Sequence, residues 1–262
     1  GPGHIARCDH PWRRTDFPAL VAVIEHAARG IILWDTGYSP LHRTLHKRWP
    51  WRLQEMLLPV HLPETSQLPR QLAALGIAPR DVGMIVLSHF HSDHMGGLRD
   101  FPQARILFSQ TAWNSVRTLG PWTAARHSYH PGLLPDGFPR PGDIALNDND
   151  ARPDPFFAAT WPLLDGAATA VSLPGHAPGQ IGLRLASAGR DYLLVADALW
   201  LHANLHTAPP SWLGRRLMDN PATYDDTRAR LQRFAKFCPH THLVPSHCAP
   251  TLHRLQTAAS PE

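Results

Sequence analysis

The segment Ser88-His89-Phe90-His91-Ser92-Asp93-His94-Met95-Gly96-Gly97 constrains this chain more than any other feature. It follows a continuous apolar run at 82–87, which predicts a short buried strand, and it sets three imidazoles and a carboxylate within six positions. On an extended backbone alternate side chains point the same way, so His89 and His91 can grip one metal ion together. Asp93 and His94 are neighbours in sequence and diverge unless the backbone turns; in such a turn they can address a second ion. Gly96 and Gly97 then allow the tight backbone path that starts the following helix. A single histidine is more often a packed or solvated side chain than a ligand. This spacing directly after a strand instead asks for a fold that brings further ligands to the same sheet edge.

Three candidates end later apolar segments. His176 lies in Leu173-Pro174-Gly175-His176-Ala177-Pro178-Gly179 after a predicted strand at 168–173, Asp197 follows the strand at 192–196, and His247 follows the one at 242–245. A further strand is predicted at 181–185. Earlier in the chain, apolar segments at 20–24 and 31–34 flank a turn with Gly30, reading as a β-hairpin that ends in Asp35-Thr36-Gly37. Residues 67–75 have helical spacing with Gly76 as C-cap; residues 105–108 read as a strand and 111–119 as a helix. An exposed helix over Pro221–Phe237 starts with proline in its first turn. The chain reads as one domain over 1–262 with two insertions. The first, 38–69, is a flap over a pocket or a buried helix and loop. The second, 120–155, is a long loop whose Trp122, His127, Tyr129, His130 and Phe138 pin it to the body rather than line a substrate entrance.

Composition narrows the partners. The net charge is +4, and the basic pairs Arg13-Arg14, Lys47-Arg48 and Arg215-Arg216 are scattered, which suits solvated faces better than a nucleic-acid track. The 18 histidines nearly equal the 21 carboxylates, as fits a metal-binding protein. Three cysteines, Cys8, Cys238 and Cys248, make no disulfide framework and no CxxC pair, so a reducing, cytoplasmic setting is expected. No apolar run reaches the roughly 18–20 residues that span a bilayer, and Gly1-Pro2-Gly3-His4 lacks the basic-then-apolar pattern of an export signal. No membrane partner is expected. Oligomeric state is left open, a homodimer being one arrangement.

The ordered set of His89, His91, Asp93, His94, His176, Asp197 and His247 resembles that of metallo-β-lactamase-fold hydrolases, over nearly the whole chain. The resemblance implies an α+β fold, a four-layered αβ/βα sandwich. It also implies two divalent transition-metal ions, with His89, His91 and His176 on the first, Asp93, His94 and His247 on the second, and Asp197 bridging. Asp35 matches the family's early strand-end motif and implies structural support. Asp197 resembles the bridging carboxylate of lactonases, thioesterases, phosphotriesterase-like hydrolases and tRNA-processing nucleases, which demotes β-lactam hydrolysis. His91 stands where flavodiiron oxidoreductases carry Glu, which demotes redox chemistry.

Within the fold, residues 88–97, the 174–179 loop and Asp197-Ala198 are most similar to N-acyl-homoserine lactone lactonases, and Cys8-Asp9-His10 is similar to their N-terminal segment. One departure is Trp200, where those lactonases place a tyrosine; an indole N–H donates a hydrogen bond but has no phenolic proton to transfer. The implied reaction uses a metal-bridging hydroxide, assisted by Asp93 and Asp197, to cleave a small lactone, ester or thioester with an apolar portion. Trp200 and His202 are the expected substrate contacts. Organophosphate triester hydrolysis is the alternative, and RNA processing a lesser one. Zinc is the default ion, with iron, manganese and cobalt accepted by the same ligands.

Overall fold

The computed structural model describes residues 3–7 and 17–259; Cys8-Asp9-His10 lies outside them. The chain divides into two compact units, one formed by Val21–Asn147 and the other by Gly1–Leu20 with Asp148–Glu262.

The first unit is built on a mixed sheet in the order β1 (Ala22–His26), β2 (Gly30–Trp34), β3 (Val82–Val86), β4 (Arg105–Ser109), β5 (Ile144–Leu146). The expected hairpin is the antiparallel β1/β2 pair, with Gly30 at φ +69° in its turn; β2 through β5 then run parallel. Buried at every position but Gly83, β3 reads as a continuous apolar run, as a central parallel strand should. Between β2 and β3 lie α1 (Pro40–Leu45), α2 (Trp51–Leu57) and α3 (Leu68–Ala74), the last followed by Gly76 at φ +76°. Residues 38–69 therefore hold two helices. Trp51 is buried, while Trp49, Leu53, Met56, Leu57 and Leu58 are exposed.

After β3 come α4 (Ser92–Met95), α5 (Gln110–Val116) and α6 (Pro121–Arg126). The 120–155 segment, expected as loop, contains α6 and supplies β5, which pairs with β4. At three residues β5 is too short to show a period. Tyr129 and His130 are buried, and Phe138 packs against Phe90, Phe108 and Trp113 with ring centroids 5.0–5.9 Å apart. These three side chains anchor the segment to its own unit, whereas Trp122 is exposed.

The second unit is built on the order β10 (Thr241–Pro245), β9 (Arg190–Ala196), β8 (Ile181–Ser187), β7 (Ala168–Ser172), β6 (Thr160–Leu163). All pairs are antiparallel except β9/β10. Pro162 hides β6 from sequence reading, because proline is tolerated only at edge positions of a sheet. The unit's helices include α7 (Trp212–Arg215), α8 (Pro221–Phe237) and α9 (Ala249–Ala259). Helix α8 starts where expected, capped by Asn220 Oδ1, which accepts from the backbone N–H groups of Ala222 and Thr223. It is not an exposed helix, since it buries Tyr224, Thr227, Leu231 and Phe234 along one face, and Leu231 and Phe234 join a core with Val171, Leu193 and Val195. That face gives the i, i+3, i+7, i+10 spacing of an amphipathic helix. Among the described residues, no helix is long and apolar enough to cross a membrane.

Candidate metal centre

In the first unit the histidine motif leaves the end of β3 and is held by a carboxylate from the end of β2. Asp35 is fully buried at φ +58°, a left-handed conformation that Asp tolerates better than most residues. Its Oδ1 accepts the backbone N–H of Ser88 at 2.7 Å, and its Oδ2 accepts the Ser88 hydroxyl at 2.8 Å and His94 Nδ1–H at 2.7 Å. Burial pushes the Asp35 carboxyl up, while His94 and Ser88 pull it back down. With its single proton committed to Asp35, the Ser88 hydroxyl can only accept from His89 Nδ1–H, 3.0 Å away. Both imidazoles are thereby set in the tautomer that keeps the Nε2 lone pair for a cation, the arrangement in which a carboxylate or hydroxyl backs a metal-binding histidine.

His91, extended at φ −74° and ψ 149°, is the N-cap of α4. The rings of His89 and His91 stand 4.4 Å apart and those of His89 and His94 4.1 Å, so alternation and the following turn converge the side chains as the spacing predicts. The turn also brings Asp93 Oδ2 to 3.7 Å from His94 Nε2. The two glycines give the expected tight path: neither has positive φ, one helical turn, Ser92–Met95, precedes them, and Gly97 caps a second short turn over Leu98–Asp100. A Cβ on Gly96 would lie 2.6 Å from the Ser92 carbonyl oxygen and 2.7 Å from that of Gly37, and one on Gly97 would lie 2.8 Å from that of Thr36. They are required for close backbone approach, which Thr36 completes by donating its N–H and hydroxyl to the His94 carbonyl at 2.7 and 2.9 Å.

In the second unit, Asp197 and His247 follow two parallel neighbours, β9 and β10, and so emerge at the same sheet end. The His176 loop is closed by the Leu173 N–H to the Gln180 carbonyl at 2.9 Å and clamped against the start of α8. Asn220 N–H donates to the Gly175 carbonyl at 3.0 Å, Asp219 N–H to that of His176 at 3.1 Å, and Thr227 Oγ1 to that of Pro174 at 2.7 Å. Gly175 sits at φ +119°, where a Cβ would lie 2.3 Å from the Tyr224 backbone nitrogen; only glycine permits this approach.

Asp197 Oδ2 lies 3.2 Å from His176 Nε2 and 3.2 Å from His247 Nε2. The other nitrogen of His247, Nδ1, is 2.7 Å from the Pro18 carbonyl. A carbonyl can only accept, so Nδ1 carries the proton and Nε2 of a neutral ring presents its lone pair to a carboxylate oxygen. Two acceptors at that distance repel unless a cation or an added proton lies between them. Two ligands about 2.0–2.1 Å from a tetrahedral zinc stand roughly 3.3 Å apart, which matches both separations.

Trp200 contacts this carboxylate directly, its Nε1–H donating to Asp197 Oδ2 at 3.1 Å. Its ring is buried with Ala6, Met218 and Tyr224 and meets His176 edge-on at 5.7 Å. His202 instead lines a cavity of about 350 Å³ with Arg190, Tyr192, His206, His242 and Arg254. Ser88, Pro18 and the start of α8 were not singled out from sequence as supports of the site. Ser88 carries a weak signal as a polar residue next to the motif; a supporting backbone carbonyl such as that of Pro18 carries none.

The comparisons with known proteins bear on the family and the fold. An N-acyl homoserine lactonase AiiB of Agrobacterium fabrum (strain C58) is 27% identical over 230 residues, covering 86% of this chain and 77% of the relative. A probable metallo-hydrolase, Rv2300c, of Mycobacterium tuberculosis (strain H37Rv) is 30% identical over 180 residues, which are 67% of this chain and 55% of that protein. Among solved structures, a mutant of AiiA from B. thuringiensis with N-decanoyl-L-homoserine at its active site superposes with a TM-score of 0.68 at 16% identity, covering 97% of this chain and 90% of that one. AidC, a dizinc quorum-quenching lactonase, superposes at 0.57 and 18% identity, covering 87% and 71% of the two chains. The profile of the metallo-beta-lactamase superfamily matches residues 14–247, and the chain is a hydrolase belonging to that superfamily, with its fold.

Proposed function

We propose that His89, His91, Asp93, His94, His176, Asp197 and His247 hold two divalent transition-metal ions, zinc by default, and that the protein hydrolyses a small lactone, ester or thioester with an apolar portion. One observation carries the metal reading: His247, its Nδ1 committed to the Pro18 carbonyl, turns Nε2 toward Asp197 Oδ2 at 3.2 Å. The Asp35–Ser88 backing of His89 and His94 supports it from the other unit. The bound ions would supply a water acidified toward neutral pH and a Lewis acid for the substrate carbonyl.

The chain's own residues do the rest. Asp93 keeps 18% side-chain exposure while Asp35 keeps none, so of the two Asp93 is the carboxylate that can reach and orient the attacking water. Asp197 is held in one orientation by Trp200, which makes Trp200 a positioning residue. We assign the exposed apolar side chains Leu53, Met56, Leu57 and Leu58 to an acyl or aryl substrate portion, and the lactonase relatives favour the lactone. The free thiols of Cys238 and Cys248 suit a reducing, cytoplasmic setting.

The test is metal analysis of protein purified without chelator, joined to a panel of acyl-homoserine lactones, simple lactones, thioesters, aryl esters and phosphotriesters. At least two equivalents of transition metal and fastest turnover of an apolar lactone or ester are expected. Asp197→Asn should lower turnover of the best substrate by at least about 100-fold and reduce metal content. Full metal and full rate in that variant would overturn the assignment, and preference for phosphotriesters would move the substrate class.

A further inference from the structure

Helix α1 carries a second histidine pair that the dinuclear reading does not use. His42 and His46 are four residues apart, and the His46 N–H donates to the His42 carbonyl at 2.9 Å, so helical geometry extends through His46 and stacks both side chains on one face. Their ring centroids are 3.6 Å apart and both residues are 2% exposed. Glu55, from α2, reaches His42 Nε2 with Oε2 at 3.1 Å, while its Oε1 accepts the Val60 N–H at 3.2 Å.

His46 is the anomaly. Among the described residues neither of its ring nitrogens has a hydrogen-bond partner, and the same holds for His42 Nδ1. A neutral imidazole always carries one N–H and one lone pair, and burying both unmatched is unfavourable. The surroundings close the cluster on one side. His130 lies 5.6 Å from His46, with Nδ1 accepting the Gly132 N–H at 3.0 Å, and its other face meets Trp51 at 4.1 Å. Glu55, 31% exposed in its side chain, leaves an opening to solvent.

We propose that His42, His46 and Glu55 form a further metal site, separate from the seven ligands above, for one divalent transition ion of the zinc class. One ligand atom from each residue already lies within 4.8 Å of the others, so a shift of roughly 1 Å brings them to tetrahedral spacing. Two imidazoles and a carboxylate are a borderline-soft set that takes zinc, cobalt or nickel and leaves a coordination position for water. The ion would tie α1 to α2 across the residues that join them and satisfy the nitrogen that burial strands.

The test compares zinc content by mass spectrometry in the full-length protein, His46→Gln and Glu55→Gln, each metal-stripped and reloaded with zinc, with circular dichroism confirming folding. Wild type should hold one equivalent more than either variant, and both variants should keep hydrolysis of the best substrate within about twofold. Cobalt loading gives a second reading, since a band present in wild type should vanish in both variants. Equal zinc content and equal cobalt spectra in wild type and the folded variants overturn the proposal. Should His46→Gln fail to fold, Glu55→Gln decides alone. Failure of the dinuclear reading would lower the metal count of all three proteins equally and leave the one-equivalent difference intact.

Discussion

Two groups of buried histidines lie in the unit Val21–Asn147, and they are built on opposite plans. Around 88–97, His89 and His94 each have Nδ1 engaged by an oxygen that in turn belongs to a chain ending in buried Asp35. Around His42, His46 and His130 the rings mostly face other rings. In the first group hydrogen bonds choose which nitrogen is offered; in the second, His42 and His130 have one bonded nitrogen each but His46 has none, and burial keeps the rings neutral, with His46 down to about 3 and His130 to about 4. Burial alone therefore says that an imidazole is uncharged, whereas backing says which way its lone pair is directed. On the proposed reading, a backed cluster would be organised before an ion arrives, and an unbacked one would be organised by the ion.

The largest effect should come from removing the backing. Asp35→Ala strips the acceptor from Ser88 N–H, Ser88 Oγ–H and His94 Nδ1–H at once. Loss of a buried network of this kind costs about 3–5 kcal/mol, and supporting-residue changes typically weaken metal binding 10–100-fold. Urea unfolding and competitive zinc titration measure the two effects; a stable variant with wild-type zinc affinity would make backing irrelevant.

A smaller effect is expected in the other unit, where the backing is one indole N–H. Trp200→Phe keeps an aromatic ring in the pocket formed by Ala6, Met218 and Tyr224 and removes one hydrogen bond to a carboxylate, about 1.5–3 kcal/mol. Turnover should fall roughly tenfold with KM little changed. A raised KM at constant turnover would instead make Trp200 a substrate contact.

The smallest effect belongs to the unbacked cluster. In chelator-treated protein, His46→Phe exchanges a ring with no hydrogen bond for an apolar one and should change unfolding free energy by less than about 1 kcal/mol in either direction. With zinc added, the wild type should gain stability and the variant should not. A large loss in the metal-free state would show that His46 is held by contacts of its own, and the two clusters would then differ less than described.

The strands that carry ligands were legible because each ends an apolar run and is followed at once by a polar, chemistry-bearing residue, as at Asp35, Ser88, Asp197 and His247. Helix α8 was legible from Pro221 and its spacing, though its buried face at Tyr224, Leu231 and Phe234 was not, since thirteen positions elsewhere on the helix are less buried. The supports were harder to read. Ser88 looks like any loop serine until its proton is traced to Asp35, and Pro18 acts through a carbonyl that every residue possesses. Gly96 and Gly97 suggested a turn, but what they avoid is contact with backbone oxygens brought near by folding. The pair His42 and His46 was not read from the sequence, because i, i+4 spacing gains meaning only when Glu55 arrives from another helix.

The parallel pairing of β9 with β10 has a consequence for how such a protein can change. Asp197 and His247 directly follow the last paired residues of the ladder, Ala196 and Pro245, so their separation is set by the roughly 4.8 Å strand spacing together with the short backbone exits from the two strands. Loops elsewhere can be lengthened, exchanged or redecorated without moving these two proposed ligands. The chain thereby separates an inherited chemistry, written in the backbone, from a specificity that point substitutions can revise.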